Sequence, residues 1–251
     1  MRPNLLILGG TTEATALARA LADAGYAGVV SFAGRVERPI RQPLPQRVGG
    51  FGGVEGLSDY LLANDVTHVI DATHPFATQM SRNAIEACRL ASVPLVALTR
   101  APWQAEPGDL WTVVPDIAAA AATLDCPRET VLLAVGRQTL SAFAGNPQHR
   151  YILRLVDPPA SPPPFPDHHV IVSRGPFTME GDRELIVAHG VTRVVSKNSG
   201  GTGAYAKIAA ARALGLPVVM IDRPVIPPRH EVFAVEDVLD WIAHAGTDLG
   251  V

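Results

Sequence analysis

Short apolar segments alternate with helix-like segments along the 251-residue chain. The runs "LLIL" at Leu5, "HVI" at His68 and "VPLVAL" at Val93 are almost free of charged residues, and stretches with apolar residues at helical spacing separate them. Strands that are apolar on both faces are typical of parallel sheets covered by helices on both sides. The alternation therefore predicts an α/β fold with parallel sheets.

The alternation occurs twice, and the two halves resemble each other in sequence. Three pairs of segments match in the same order: "LLILGGTT" at Leu5 with "LLAVGRQT" at Leu132, "VTHVIDATHPFA" at Val66 with "VTRVVSKNSGGT" at Val191, and "VPLVALTR" at Val93 with "LPVVMIDR" at Leu216. Matches in a fixed order indicate a duplicated unit. We expect two Rossmann-like domains, at 1–100 and 129–251, with a connector at 101–128 and a cleft between the domains.

The composition argues against several classes of protein. A formal net charge of −3 lacks the basic excess of a nucleic-acid binder, and no apolar run is long enough for a membrane span or a signal peptide. Cys88 and Cys126 show no spacing typical of a zinc site, so we expect no metal. We expect a cytoplasmic protein with neither nucleic acid nor membrane as partner. Its oligomeric state stays open, with a monomer as the working expectation.

A Gly-rich turn follows the first apolar run, where open α/β sheets bind their ligands. A dinucleotide pyrophosphate can bind there, at the N-terminus of the next helix. The candidate residues are Gly9, Gly10, Thr11, Thr12 and Glu13. The strict G-x-G-x-x-G pattern is absent, so an ordinary strand-to-helix turn remains an alternative.

Arg35 follows the second apolar run, where dinucleotide folds select between NAD and NADP. An acidic residue at the strand end would repel the 2′-phosphate of NADP, whereas an arginine can pair with it. Arg35 therefore favours NADP, although it could also be a solvated surface residue.

The loop "DATHPFA" follows the strand "HVI", again at a strand end. We expect cofactor contacts from this loop, at Ala72, Thr73, His74, Pro75 and Phe76. As an alternative, His74 could only cap the following helix, and Asp71 could only bond backbone groups.

Cations follow three strands of the second half: Arg137 in "VGRQT", Arg174 in "SRGPF" and Lys197 in "SKNSGGTG". Arg137 replaces the second glycine of the matching turn, and its planar guanidinium suits a carboxylate. The last motif is not a P-loop, because Lys197 precedes the glycines. An anion site is predicted from Gly136, Arg137, Thr139, Arg174, Lys197, Asn198, Ser199, Gly200 and Gly201; solvated surface charges are the alternative.

The segments "ILGGTTEA", "DATHPFA" and "SKNSGGTGAYAKIAAARALGLPVVMIDRP" resemble the precorrin-6A reductases of cobalamin biosynthesis, over nearly the whole chain. The resemblance implies two Rossmann-like domains, with NADPH on the N-terminal one. It also implies reduction of a carbon–carbon double bond in a tetrapyrrole that bears many acetate and propionate groups. Such a polycarboxylate fits the predicted anion site, but the sequence does not show whether the substrate carries cobalt.

Lys197 is the candidate proton donor for this reduction, because a lysine in a partly desolvated site can have a lowered pKa. It could equally anchor a carboxylate, with water supplying the proton. Two other functions stay open at this point: a non-catalytic NADP-responsive binding protein, and an NADP reductase of another polycarboxylate.

Overall fold

The structure is a computed structural model that describes residues 3–34 and 41–244. The chain divides into two compact units, one comprising Met1–Arg100 and Val225–Val251 and the other Ala101–Pro224. Each unit contains a six-stranded sheet in which every pairing is parallel. The predicted α/β class with two parallel-sheet units is confirmed.

The chain builds most of the first unit, then the whole second unit, and then returns to the first. The elements before the second unit are β1 (Asn4–Leu8), α1 (Thr12–Asp23), β2 (Ala27–Phe32), β3 (Gln46–Val48), α2 (Gly53–Ala63), β4 (His68–Asp71), α3 (Thr78–Ala91) and β5 (Leu95–Leu98). Those of the second unit are β6 (Leu110–Val114), α4 (Ile117–Ala122), β7 (Thr130–Ala134), a 3₁₀ helix (Arg137–Phe143), β8 (Arg150–Leu155), β9 (His168–Val172), α5 (Met179–His189), β10 (Arg193–Lys197), α6 (Ala206–Ala213) and β11 (Pro217–Ile221). The returning segment forms β12 (His230–Val232) and α7 (Val235–His244).

The two sheets have equivalent strand orders. The first runs β12-β5-β4-β1-β2-β3 and the second β6-β11-β10-β7-β8-β9. The order reverses between β4 and β1 in the first sheet and between β10 and β7 in the second, as in dinucleotide-binding folds. The three pairs of similar segments correspond to β1 and β7, β4 and β10, and β5 and β11, so the predicted internal repeat is also present in the fold.

The domain limits differ from the sequence-based ones because the sixth strand of each sheet comes from an unexpected part of the chain. The segment 101–128, predicted as a connector, contains β6, which pairs with β11 from Leu110 to Val114. The segment after Pro224 was assigned to the second domain, yet β12 pairs with β5 of the first unit. Both strands lie at sheet edges, and backbone pairing at an edge leaves little signature in side-chain pattern.

Apolar helices cover the sheets and leave the strand ends to the loops. In the first unit, Leu17 of α1 and Ile242 of α7 are buried in one cluster, and Leu57 of α2 and Ala84 of α3 in another. Because the strands are parallel, the loops after β1, β2 and β4 meet at one edge of the sheet. The corresponding loops of the second unit follow β7, β8 and β10.

One helix of the second unit has a tighter form. The segment after β7 is a 3₁₀ helix at Arg137–Phe143, and Gly145 and Pro147 follow it closely. In the part of the chain that the structure describes, no helix combines the length and the apolar character needed to cross a membrane.

Candidate functional site

The turn after β1 leaves open space against the backbone. The Gly9 N–H donates to the Ser31 carbonyl at 2.9 Å, and a Cβ atom on Gly9 would lie only 3.0 Å from Val30 Cγ1. Gly10 has φ +125°, and no heavy atom lies within 4 Å of the position that a Cβ would take. Both glycines are therefore needed for local geometry, and the space at Gly10 lies at the N-terminus of α1, where an anion is favoured.

Thr11 joins this turn to the loop after β4. Its Oγ1 accepts from the Ala14 N–H at 3.1 Å, which caps α1, and donates to the Ala72 carbonyl at 2.8 Å. A hydroxyl has a single proton, and that of Thr11 is donated to Ala72, so it is not available to a ligand in this arrangement. The side chain therefore orients the two loops toward each other.

Arg100, just after β5, is a cation of this region that the sequence interpretation missed. The Thr12 hydroxyl donates to Glu13 Oε2 at 3.0 Å, and Glu13 Oε2 lies 3.7 Å from Arg100 Nη1. Burial lowers the pKa of Arg100, and the charge of Glu13 opposes that shift. A signal for it existed: the matching segments "VPLVALTR" and "LPVVMIDR" both end in arginine, at Arg100 and Arg223.

Asp71 shapes the loop after β4. Its side chain is almost fully buried, and Oδ1 accepts from the Thr73 N–H at 3.1 Å and from the Thr73 hydroxyl at 2.7 Å. Oδ2 accepts from the Ser81 hydroxyl at 2.6 Å and from the Arg229 guanidinium. The Thr73 hydroxyl thus holds the loop in place.

His74 and Phe76 also stabilise this loop. His74 Nδ1 accepts from the Phe76 N–H at 3.2 Å, its carbonyl accepts from the Ala77 N–H at 2.7 Å, and the two rings lie 5.8 Å apart. The alternative that His74 caps α3 is wrong, because the N-cap of α3 is Ala77 and no side chain caps it. His74 instead stabilises its own loop, and ligand contacts from His74, Pro75 and Phe76 remain predictions.

Arg35, the residue predicted to select NADP, lies outside the described residues. The neighbouring strand ends carry a second cation, Arg47 of β3. Its Nη1 donates to Ser31 Oγ at 2.8 Å, and its guanidinium lies 3.8 Å from the centre of the Phe51 ring. Positive charge therefore lies beside the end of β2 among the described residues.

The turn after β7 presents Arg137 to solvent. Gly136 has φ +83°, with no heavy atom near its Cβ position, and Arg137 is exposed. Thr139 donates to the carbonyls of Val135 and Gly136, at 2.8 and 3.1 Å. The hydroxyl proton of Thr139, a residue predicted to bind substrate, is therefore donated to the backbone of the turn.

Arg174 differs from the other two predicted cations. It pairs with Asp157 at 2.7 Å and follows β9, the edge strand. Arg137 follows β7, and Lys197 is the last residue of the adjacent strand β10. Strand spacing places the ends of β9 and β10 roughly 14 Å apart. The fold brings Arg137 and Lys197 to neighbouring strand ends. Arg174 follows the edge strand, but the loop it begins returns to the turn after β10, since a Cβ on Gly175 would lie 3.4 Å from the Gly203 carbonyl.

The Gly-rich turn after β10 is held by Trp103. Asn198 Oδ1 accepts from the Trp103 N–H at 2.8 Å, Nδ2 donates to its carbonyl at 3.0 Å, and the indole N–H donates to the Gly201 carbonyl at 2.7 Å. A Cβ on Gly200 would collide with the Ala101 carbonyl and the Arg223 guanidinium. Asn198 and Gly200 were predicted as substrate contacts, but their side-chain positions are used to build the turn.

Lys197 and Ser199 form the part of the turn nearest the strand. The Lys197 carbonyl accepts from the Ser199 N–H at 2.8 Å and from the hydroxyls of Ser196 and Ser199 at 3.1 and 3.4 Å. Lys197 is partly buried. These bonds fix its backbone and hold its side chain at the carboxyl end of β10.

Lys207 of α6 is a buried cation beneath the same turn, and the sequence interpretation missed it. The side chain is 5% exposed, and its Nζ donates to the Ala204 carbonyl at 2.6 Å and lies 5.0 Å from the Trp103 ring centre. Burial and the nearby Arg154 guanidinium lower the pKa of Lys207 to about 7, and Asp182 opposes the shift. Its position among alanines in "AYAKIAAARA" gave no sign of burial.

An apolar cavity of about 440 Å³ adjoins this turn. Three aromatic rings contribute to its wall, those of Trp103, Phe177 and Tyr205, together with Gly201 and Thr202. The second unit therefore combines, at one edge, polar turn groups with a cavity lined by aromatic rings.

A model of the family described as precorrin-6x reductase CbiJ/CobK matches residues 4–243. The chain belongs to the precorrin-6x reductase family. Its three segments quoted above all lie within the matched residues.

Members of the precorrin-6x reductase family match over almost their full lengths. A precorrin-6A reductase of Rhodobacter capsulatus is 56% identical over 99% of both chains, and one of Rhodococcus erythropolis is 45% identical over 97% of this chain and 98% of that protein. A cobalt-precorrin-6A reductase of Priestia megaterium is 33% identical over 96% of this chain and 97% of that protein. A solved structure titled CobK precorrin-6A reductase superimposes with a TM-score of 0.94, at 56% identity, over 99% of this chain and 100% of that chain.

Proposed function

We propose that this protein reduces a carbon–carbon double bond of precorrin-6A with NADPH. The observation that carries the proposal is the match to precorrin-6A reductases over 99% of the chain, and in each unit the loops at the strand ends fit one of the two reactants. The first unit would bind the cofactor and the second the carboxylates of the tetrapyrrole.

The first unit fits a dinucleotide. The open space at Gly10, the start of α1 and the strand order around β1 and β4 suit a pyrophosphate. Gly9 and Gly10 would approach the phosphates, and the loop 72–76 would contact the ring that donates the hydride. When bound, NADPH supplies that hydride.

The second unit fits a flat polycarboxylate. Arg137 and Lys197, at adjacent strand ends, and the hydroxyl of Ser199 would bind acetate or propionate groups. The cavity beside Gly201 offers aromatic rings to the apolar part of the macrocycle. The Lys197 Nζ would give a proton to the ring carbon beside the one that receives the hydride, or would hold a carboxylate.

The reaction is tested by mixing the protein with NADPH and precorrin-6A and following the absorbance of the reduced nicotinamide. We expect oxidation only when both reactants are present, and a product two hydrogens heavier than the substrate by mass spectrometry. A protein that binds NADPH but oxidises none would be the non-catalytic alternative. Parallel reactions with cobalt-precorrin-6A and with another tetrapyrrole polycarboxylate define the substrate.

Arg35 is expected to select the cofactor. Replacing Arg35 with alanine should weaken NADPH binding by about 1.5–3 kcal/mol, because a charge-assisted contact to the 2′-phosphate is lost, and should leave NADH binding nearly unchanged. Calorimetric titration with both nucleotides measures this. Equal losses for the two cofactors would show that Arg35 does not recognise the 2′-phosphate.

Arg137 is expected to bind the substrate and not the cofactor. Arg137→Ala should raise the KM for precorrin-6A roughly tenfold, as a carboxylate loses a charge-assisted bond, and should leave NADPH affinity intact. Arg128, another exposed arginine, lies before β7 and so at the opposite end of the same strand; Arg128→Ala is the matched control and should keep the wild-type KM. Lost NADPH binding in Arg137→Ala would reverse the roles of the two units.

A further inference from the structure

Arg229 reaches the loop after β4 from a distant part of the sequence. It immediately precedes β12, the strand that returns to the first unit after the second is complete. Its Nη1 donates to Asp71 Oδ2, and the two side chains are only 7% and 1% exposed. Its Nε also lies 3.1 Å from Glu231 Oε1. The guanidinium is therefore shared between a buried carboxylate and one on β12.

The carboxylate of Asp71 depends on such a partner. A buried carboxylate without a nearby cation is costly, so it takes up a proton or rearranges. Either change would weaken the bonds that Asp71 accepts from Thr73 and from Ser81. Those bonds hold the start of the loop and connect it to the first turns of α3.

The same loop is connected to the Gly-rich turn after β1. Ala72 follows Asp71 directly, and its carbonyl accepts the hydroxyl proton of Thr11, the residue that caps α1. A displacement of Asp71 would therefore shift both segments that the proposed function assigns to NADPH, the turn after β1 and the loop 72–76.

We infer that Arg229 is a positioning residue for NADPH, which holds Asp71 and thereby the loop 72–76 and the turn after β1 in their binding geometry. The inference rests on the proposed function. It assigns the segment that returns to the first unit a role in cofactor binding. Arg229 of this segment lies 158 residues after Asp71, the residue that it holds. Residues 1–100 would accordingly form an incomplete cofactor unit.

Measuring NADPH affinity in Arg229→Gln tests this role. We expect the dissociation constant to rise roughly tenfold or more, since small displacements of a binding loop carry penalties of this size. The measurement is made well below the thermal midpoint of the variant, so that folded protein alone is compared. Arg229→Lys should recover part of the affinity, because it restores the charge but not the guanidinium geometry.

The second unit supplies a matched control. Arg154 and Asp182 form an equally buried pair, with side chains 9% and 4% exposed. Arg154→Gln should lower the thermal midpoint by a similar amount and leave NADPH affinity unchanged. Wild-type NADPH affinity in folded Arg229→Gln, or an equal loss in Arg154→Gln, would overturn the inference by showing only a stability effect.

A double variant covers the case in which Arg229→Gln does not fold. Asp71→Asn/Arg229→Gln removes both charges, and the loss of an entire pair is better tolerated than the loss of one partner. We expect it to fold and to bind NADPH weakly, because an amide cannot accept all the bonds that Asp71 accepts. Wild-type affinity in the double variant would refute the inference, whereas a wild-type protein that binds no NADPH would refute the proposed function itself.

Discussion

Replacing Lys197 with methionine is expected to lower the turnover of precorrin-6A roughly a hundredfold or more. General acid catalysis contributes about this much, and the Lys197 Nζ is the candidate group that the fold holds at the end of β10. Methionine has a similar length but carries neither charge nor proton. Steady-state kinetics at saturating NADPH and precorrin-6A measure the effect.

The two roles of Lys197 give different results in a second variant. If the lysine only anchors a carboxylate, Lys197→Arg keeps most of the activity, because the charge remains. If it donates the proton, Lys197→Arg loses activity as well, because a guanidinium hardly gives up a proton near neutral pH. We expect a partial loss in the arginine variant and a large loss in the methionine variant, with KM little changed. A methionine variant with the wild-type turnover would eliminate the acid role.

Replacing Lys207 with methionine is expected to stabilise the protein by about 2–4 kcal/mol at pH 7. The chain contains only two lysines, Lys197 and Lys207, and Lys207 is the buried one. Its charge lies among apolar groups and close to the Arg154 guanidinium, which lower its pKa from 10.5 to about 7. Methionine fills similar space without the charge, and the lost bond to the Ala204 carbonyl offsets part of the gain.

The gain should depend on pH in a defined direction. Between pH 10.5 and about 7 the unfolded chain holds the Lys207 proton more tightly than the folded protein does, so the cost of burying the lysine grows as the pH falls through this range and is complete below about 7. The advantage of Lys207→Met should therefore be largest at pH 7 and below, and should shrink toward pH 10. Urea unfolding of both proteins at pH 6, 7, 8 and 9.5 measures the difference.

Lys207→Arg is the control for this series. Arginine keeps its charge at every pH used, so it should be less stable than wild type, and the deficit should grow toward high pH, where wild-type Lys207 becomes neutral. A methionine variant that is destabilised at pH 7, or a difference from wild type that does not vary with pH, would contradict the burial of an ionisable amine.

Several features of this protein follow from local sequence alone. Apolar strands that alternate with helical segments predicted the parallel α/β class, because residue periodicity reflects which faces of an element are buried. The three matching segment pairs predicted the repeat that the two strand orders display. The turn at Gly9 and Gly10 was also recognisable, since a ligand that approaches the backbone and a positive φ both require glycine.

The tertiary structure decided which polar residues serve the fold. Asn198 and Gly200 lie in a motif that suggests an anion site. The Asn198 side chain instead bonds to the backbone of Trp103. The Ala101 carbonyl and the Arg223 guanidinium fill the space that a side chain on Gly200 would need. The sequence shows a polar turn, but hydrogen bonds over about a hundred residues have no local pattern.

The tertiary structure likewise decided where each edge strand pairs and what the buried charges contact. β6 and β12 lie at sheet edges, and backbone bonding there depends on which partner is close, not on the side chains of the strand itself. The same holds for Arg229 beside Asp71 and for Lys207 beneath Trp103. An arginine or lysine is usually solvated, and only the packing of distant segments around these two shows that they are buried.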